Sequence, residues 1–145
     1  MNHKTMLRSA FAGLAATACF AAFSPALAEI VTLKAELKGS NEVPSNDSKA
    51  SGLLTLTFDT ATKKLTWKGS YKDLSGPATA AHLHGPAEPG KNASVAVPIP
   101  SKGPELEGSA DLTEAQAADL LAGRYYVNIH SEMHRGGEIR GQVVK

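Results

Sequence analysis

Cysteine is nearly missing from this chain, with Cys19 the only one among 145 residues. Also missing is any cluster of Lys and Arg: the formal net charge is +1, so no electrostatic feature recommends nucleic acid as a partner. No apolar run reaches the ~20 residues needed to cross the hydrocarbon core of a bilayer, so no membrane span is expected. There is no G-x-S-x-G nucleophile elbow, no phosphate-binding P-loop and no dinucleotide glycine fingerprint. Nor does a unit of 20–50 residues repeat. At this length the chain has room for one folded domain.

The N-terminus reads as an address. Lys4 and Arg8 precede an uncharged stretch, Ser9 to Phe23, of mostly Ala, Leu and Phe. Ala26-Leu27-Ala28 then supplies the small-x-small pattern that signal peptidase requires. Residues 1–28 are therefore expected to be a signal peptide cleaved before Glu29, and the protein to be secreted or periplasmic. A lipid-modified cysteine also follows a short apolar run, but Ala16-Thr17-Ala18 ahead of Cys19 lacks the usual large aliphatic residue. Cleavage leaves 117 of the 145 residues, 13 of the 15 basic residues against all 14 acids, and no cysteine. Disulfides, thiolate nucleophiles, zinc ribbons, iron–sulfur clusters and the cysteine-dependent blue-copper site all go with it.

Residues 29–145 read as one domain of strands. Val31, Leu33, Ala35 and Leu37 alternate with Thr32, Lys34, Glu36 and Lys38, the period of a half-buried strand. Leu54, Leu56 and Phe58 mark a second strand, and a turn at Asp59–Lys63 leads into a third with Leu65, Trp67, Gly69 and Tyr71 on one face. Thr79–His84 puts Ala81 and Leu83 opposite Ala80, His82 and His84. Val95, Val97 and Ile99 form a short strand that Pro98 and Pro100 confine to an edge. Leu106–Leu112 is a weaker strand, and Thr113-Glu114-Ala115-Gln116 is a capping box that opens a short helix ending at Gly123. Tyr125–His130 and, after Gly136-Gly137, Glu138–Val144 complete the set. About eight strands with short connections and one short helix imply an all-β fold, an antiparallel immunoglobulin-like β-sandwich or barrel.

The chemistry concentrates in histidine. His3 leaves with the leader, and the other four fall into two groups, His82-Leu83-His84 and His130-Ser131-Glu132-Met133-His134. Residues i and i+2 of a strand point the same way about 6–7 Å apart, so His82 and His84 can converge on one ion while Leu83 enters the core. Imidazole nitrogen suits copper and zinc and is a poor replacement for the oxygen cage of calcium or magnesium. Candidate metal ligands are therefore His82, His84, His130 and His134. Met133 offers a thioether as an alternative fourth donor, and copper is preferred over zinc. Glu132, Glu138 and Arg140 lie close enough in sequence to orient the imidazoles by hydrogen bonds. The competing reading makes these histidines structural side chains, paired with backbone carbonyls, in a non-catalytic extracellular module that binds another protein.

Three stretches together resemble the CHRD (chordin-type) domain family in its stand-alone secreted microbial form. They are Leu37-Lys38-Gly39-Ser40-Asn41-Glu42-Val43-Pro44, Thr79-Ala80-Ala81-His82-Leu83-His84-Gly85-Pro86-Ala87, and Tyr126-Val127-Asn128-Ile129-His130 leading into Gly137-Glu138-Ile139-Arg140-Gly141-Gln142. Arg135 stands where that family usually has Pro. The resemblance implies an immunoglobulin-like sandwich with distant similarity to Cu/Zn superoxide dismutase, whose copper site also uses an H-x-H strand plus a His near a late strand end. By that likeness His82, His84 and His130 are candidate copper ligands. No His lies between His84 and His130, so a bridging imidazole and a zinc loop are lacking and a two-metal dismutase is excluded. Copper-only redox activity would require an open coordination position, and no enzyme activity is assigned from the sequence.

Overall fold

The computed structural model describes residues 28–145. The expected leader, apart from Ala28, and Cys19 lie outside the described residues. Eight antiparallel strands follow in chain order: β1 (Ile30–Lys38), β2 (Ser51–Asp59), β3 (Lys64–Lys72), β4 (Ala78–His84), β5 (Val95–Ile99), β6 (Glu105–Asp111), β7 (Tyr126–Ser131) and β8 (Ile139–Gln142). They form one sheet in the order β5-β4-β7-β8-β1-β2-β3-β6, and its two ends, β5 and β6, come into contact. The result is a nearly closed barrel, as the alternating pattern implies. β5 ends the sheet where Pro98 and Pro100 place it. β8 is shorter than the Glu138–Val144 expected, and Val144 makes an isolated bridge to Lys34 instead.

The core follows from the alternation. Leu33, Ala35 and Leu37 of β1, Leu54, Leu56 and Phe58 of β2, and Leu65 and Trp67 of β3 turn inward and are nearly fully buried. Ala81, Leu83, Val97, Ile99, Leu106, Val127, Ile129 and Ile139 complete the same cluster. Helix α1 (Glu114–Leu121) sits between β6 and β7 and buries Ala117 and Leu120. Its N-terminus is the capping box read from the sequence: Gln116 N–H donates to Thr113 Oγ1 at 3.2 Å, and Thr113 N–H donates to Gln116 Oε1 at 3.0 Å. At its other end Gly123, at φ +73°, lets Gly123 N–H reach Leu120 O and Arg124 N–H reach Asp119 O, both at 3.0 Å. No described helix is long and apolar enough to cross a membrane.

Two strands depart from simple alternation. β7 reads buried at Tyr126, Val127, Asn128 and Ile129, and β8 at Ile139, Arg140 and Gly141, so both of their faces are covered. Inside lies the apolar core; outside, two loops cross the sheet. Loop 85–94 is tied down by Arg140, whose Nη1 donates to Asn92 Oδ1 (2.9 Å) and Nη2 to Lys91 O (2.5 Å). Gln142 Nε2 also donates to Ala87 O at 3.3 Å. The loop after β1 is held by Asn46 Nδ2 on Glu138 O (3.0 Å) and by Asn92 Nδ2 on Val43 O (3.1 Å).

Candidate metal centre

The outer face of β4 and β7 brings histidines from the two halves of the chain together. The register pairs Ala80 with His130, His82 with Asn128 and His84 with Tyr126. Side chains at these positions share the face opposite Ala81, Leu83, Val127 and Ile129, which are at most 1% exposed. His82 and His130 are therefore diagonal neighbours across the ladder, and His84 is one step along β4. Ring centroids lie 5.0 Å apart for His82–His130, 5.3 Å for His82–His84 and 6.3 Å for His84–His130. One nitrogen from each of the three rings falls within 4.8 Å of the other two, a group that can hold a metal ion.

The hydrogen bonds fix most of the proton positions. His130 Nδ1 faces Arg135 O at 2.8 Å. A carbonyl only accepts, so this nitrogen carries the hydrogen and Nε2 keeps its lone pair. That Nε2 lies 3.1 Å from His82 Nδ1, whose N–H therefore donates to it. Two imidazole nitrogens bonded to one cation at about 2.0–2.1 Å stand about 3.0–3.4 Å apart, so this pair already has a ligand-like spacing. His84 Nδ1 lies 2.9 Å from Ala93 O and its Nε2 3.0 Å from Asn128 Oδ1, and the single N–H of a neutral ring donates to one of these two oxygens at a time. Fixing one ring nitrogen on a backbone carbonyl is how metal-binding imidazoles are commonly oriented.

Burial disfavours the charged form of two of the rings. Burial, followed by the adjacent imidazoles of His130 and His84, pushes the pKa of His82 below the ordinary histidine value. Burial also lowers that of His84, reinforced by His130 and Arg140 and opposed by its hydrogen bonds to Ala93 and Asn128. A neutral imidazole is the form that binds a metal. Beneath His84 the ring of Tyr126 stacks in parallel, with centroids 4.9 Å apart and planes 2° apart, and the Arg140 guanidinium carbon sits 3.4 Å from the Tyr126 centroid.

The remaining residues singled out in the sequence are elsewhere. His134 is outside the three-histidine group; it shapes the turn after β7, where its N–H donates to Ser131 Oγ and its carbonyl accepts from Ser131 N and Gly137 N. Met133 is 71% exposed on that turn. Glu138 does not orient an imidazole. Its carboxylate is fully buried and accepts from Ser48 Oγ (2.6 Å), Ser75 N (2.8 Å) and Ser75 Oγ (2.9 Å). Arg140 acts on the histidines through loop 85–94 and Tyr126. Sequence reasoning missed Asn128 and Glu42. The signal for Asn128 was present, because a polar side chain two residues before His130 on the same strand must share its face.

A family model described as the CHRD domain matches residues 33–143. The chain belongs to the CHRD family. The matched span runs from within β1 to just past β8, so it contains all of the sheet but the first three residues of β1, and all three clustered histidines. No curated protein and no solved structure matches the chain.

Proposed function

We propose that this CHRD-domain protein is exported and binds one transition-metal ion, copper or zinc, through His82, His84 and His130. The observation that carries the reading is the meeting of three imidazoles from two distant segments, with His82 Nδ1 and His130 Nε2 already at a ligand-like separation. Three nitrogen donors without thiolate favour copper or zinc over calcium or magnesium. His82 and His130 are each only partly buried, so the group is open on one side to a further ligand from solution. Export rests on the basic and apolar leader of residues 1–28, and the mass of the protein recovered from the periplasmic fraction should correspond to a chain beginning at Glu29.

Titration with Cu²⁺ should give a one-to-one complex that His82→Ala combined with His84→Ala abolishes. Unchanged affinity in the double variant removes the reading. Because burial and neighbouring imidazoles hold His82 and His84 below the usual histidine pKa, both should remain available to the ion at pH values somewhat under about 6.5.

One observation favours the second reading, a non-catalytic extracellular module with structural histidines. Both ring nitrogens of His84 already have hydrogen-bond partners. Metal analysis of protein purified without chelator separates the two readings.

A further inference from the structure

We propose that Asn128 sets the affinity of the histidine centre by occupying His84 Nε2, so that full three-histidine coordination requires its amide to turn aside. This inference rests on the metal-binding reading above. His84 Nδ1 faces Ala93 O and its Nε2 faces Asn128 Oδ1, at 2.9 and 3.0 Å. Both partners are acceptors and a neutral ring has a single N–H, so while that hydrogen sits on Nε2 and donates to Asn128 Oδ1 the ring has no lone pair on that side; binding through Nε2 needs the hydrogen on Nδ1, facing Ala93 O, and the amide turned aside. His82 Nδ1 and His130 Nε2, in contrast, already face each other, and a cation entering between them replaces one hydrogen, which His82 can carry on its Nε2 instead. A cation therefore meets a two-imidazole seat first, and the third ligand is under lock.

Of the two partners of His84, only one can readily move. Ala93 is held as part of loop 85–94: its N–H donates to the Tyr126 hydroxyl at 3.1 Å, and Arg140 grips the preceding Lys91 and Asn92. Asn128, at 3% exposure, is a side chain with two rotatable bonds. Behind it stands Glu42, 6% exposed, with an Oε1 that has no partner. Glu42 Oε1 and Asn128 Nδ2 crowd the same side of Gly137, where any Cβ would collide with both and where φ is +130°. A carboxyl oxygen on that side favours keeping the Nδ2 end of the amide toward Glu42 and the Oδ1 end toward His84. Asn128 is thus aimed at the histidine from behind.

The lock has a sign opposite to that of a structural support. Deleting the amide removes a hydrogen bond that must be broken before His84 can bind, so Asn128→Ala should bind Cu²⁺ more tightly, by about five-fold, on the order of one neutral hydrogen bond. In a His84→Ala background the same substitution should change Cu²⁺ affinity by less than about two-fold, because the group it restrains is gone. Asn128→Ser, whose hydroxyl is too short to reach Nε2, should repeat the gain and serves if the alanine variant does not fold. The experiment is Cu²⁺ titration of chelator-treated wild type, the two Asn128 variants, His84→Ala and the double variant, each checked for fold by circular dichroism. Equal or weaker binding by the Asn128 variants overturns the lock, as does a gain that persists without His84. A wild type that binds no Cu²⁺ overturns the metal-binding reading itself.

Discussion

The two halves of the barrel wall obey different rules. Along β1 every second residue from Val31 to Leu37 is buried and the intervening Thr, Lys and Glu are exposed, so one face packs and the other is solvated. Along β7 and β8 both faces are buried, and the outer one carries Tyr126, Asn128, His130 and Arg140. Covering a polar face is unfavourable unless each group finds a partner, and here the loops that cover it supply those partners. The first half is a support whose outer residues can vary. The second is a wired surface in which side chains, loops and imidazoles hold one another.

The largest expected effect breaks the first half and leaves the second working. Leu54 is fully buried on β2, among the core residues of the wall that carries no histidine. Leu54→Ala should lower unfolding free energy by about 2–5 kcal/mol, from lost burial and the cavity left behind. Denaturant titration reads that loss. Cu²⁺ affinity of the folded variant should stay within about two-fold of wild type, and a larger change would mean that the halves are not independent.

The next effect lies where the covering loops meet the sheet. Burial raises the pKa of Glu138, but hydrogen bonds from Ser131, Ser48 and Ser75 outweigh it and hold the carboxyl below its ordinary range. With the folded pKa below the unfolded one, ionised Glu138 adds stability that is complete above the unfolded pKa of about 4.3 and is lost as pH falls through the folded value. Glu138→Gln should therefore cost about 1–3 kcal/mol at pH 7 and less at pH 3. Urea denaturation of both proteins across that window checks the sign: a cost that grows on acidification contradicts it.

Much of the first half is legible in the sequence because its rules are local. The alternation from Ile30 to Lys38, the capping box at Thr113 and Gln116, and the prolines that place β5 at the sheet's end all act within a few residues. The sharing of one face by His82 and His84 is local as well. The arrival of His130 beside them is not, since it depends on the register that sets Ala80 opposite His130 across nearly 50 residues of chain. Short loops and clustered histidines suggest such a meeting without specifying it. Glu42, Asn128 and Arg140 were harder still to read. Their roles come from loops that fold over the sheet, and proximity in sequence misleads there: Glu138, eight residues from His130, serves serines of other loops, while Glu42, far away in the chain, stands beside Asn128.

The smallest expected effect sharpens the comparison most, because it tests whether the wiring itself carries function. Arg140 is 2% exposed, lies against Tyr126, and reaches Asn92 Oδ1 and Lys91 O with two different nitrogens. Two residues of loop 85–94 are thereby fixed immediately ahead of Ala93, whose carbonyl orients His84. Lys at this position keeps the charge but has one nitrogen in place of a planar fork, so it cannot hold both partners and cover the ring in one geometry. Arg140→Lys should weaken Cu²⁺ binding about ten-fold, the order seen when a group orienting a metal ligand is lost. His84→Ala should abolish most of that difference, because the loop that Arg140 holds reaches the site through His84. A loss of equal size with and without His84 would show that Arg140 supports the sheet at large, and the second half would then differ from the first in composition but not in kind.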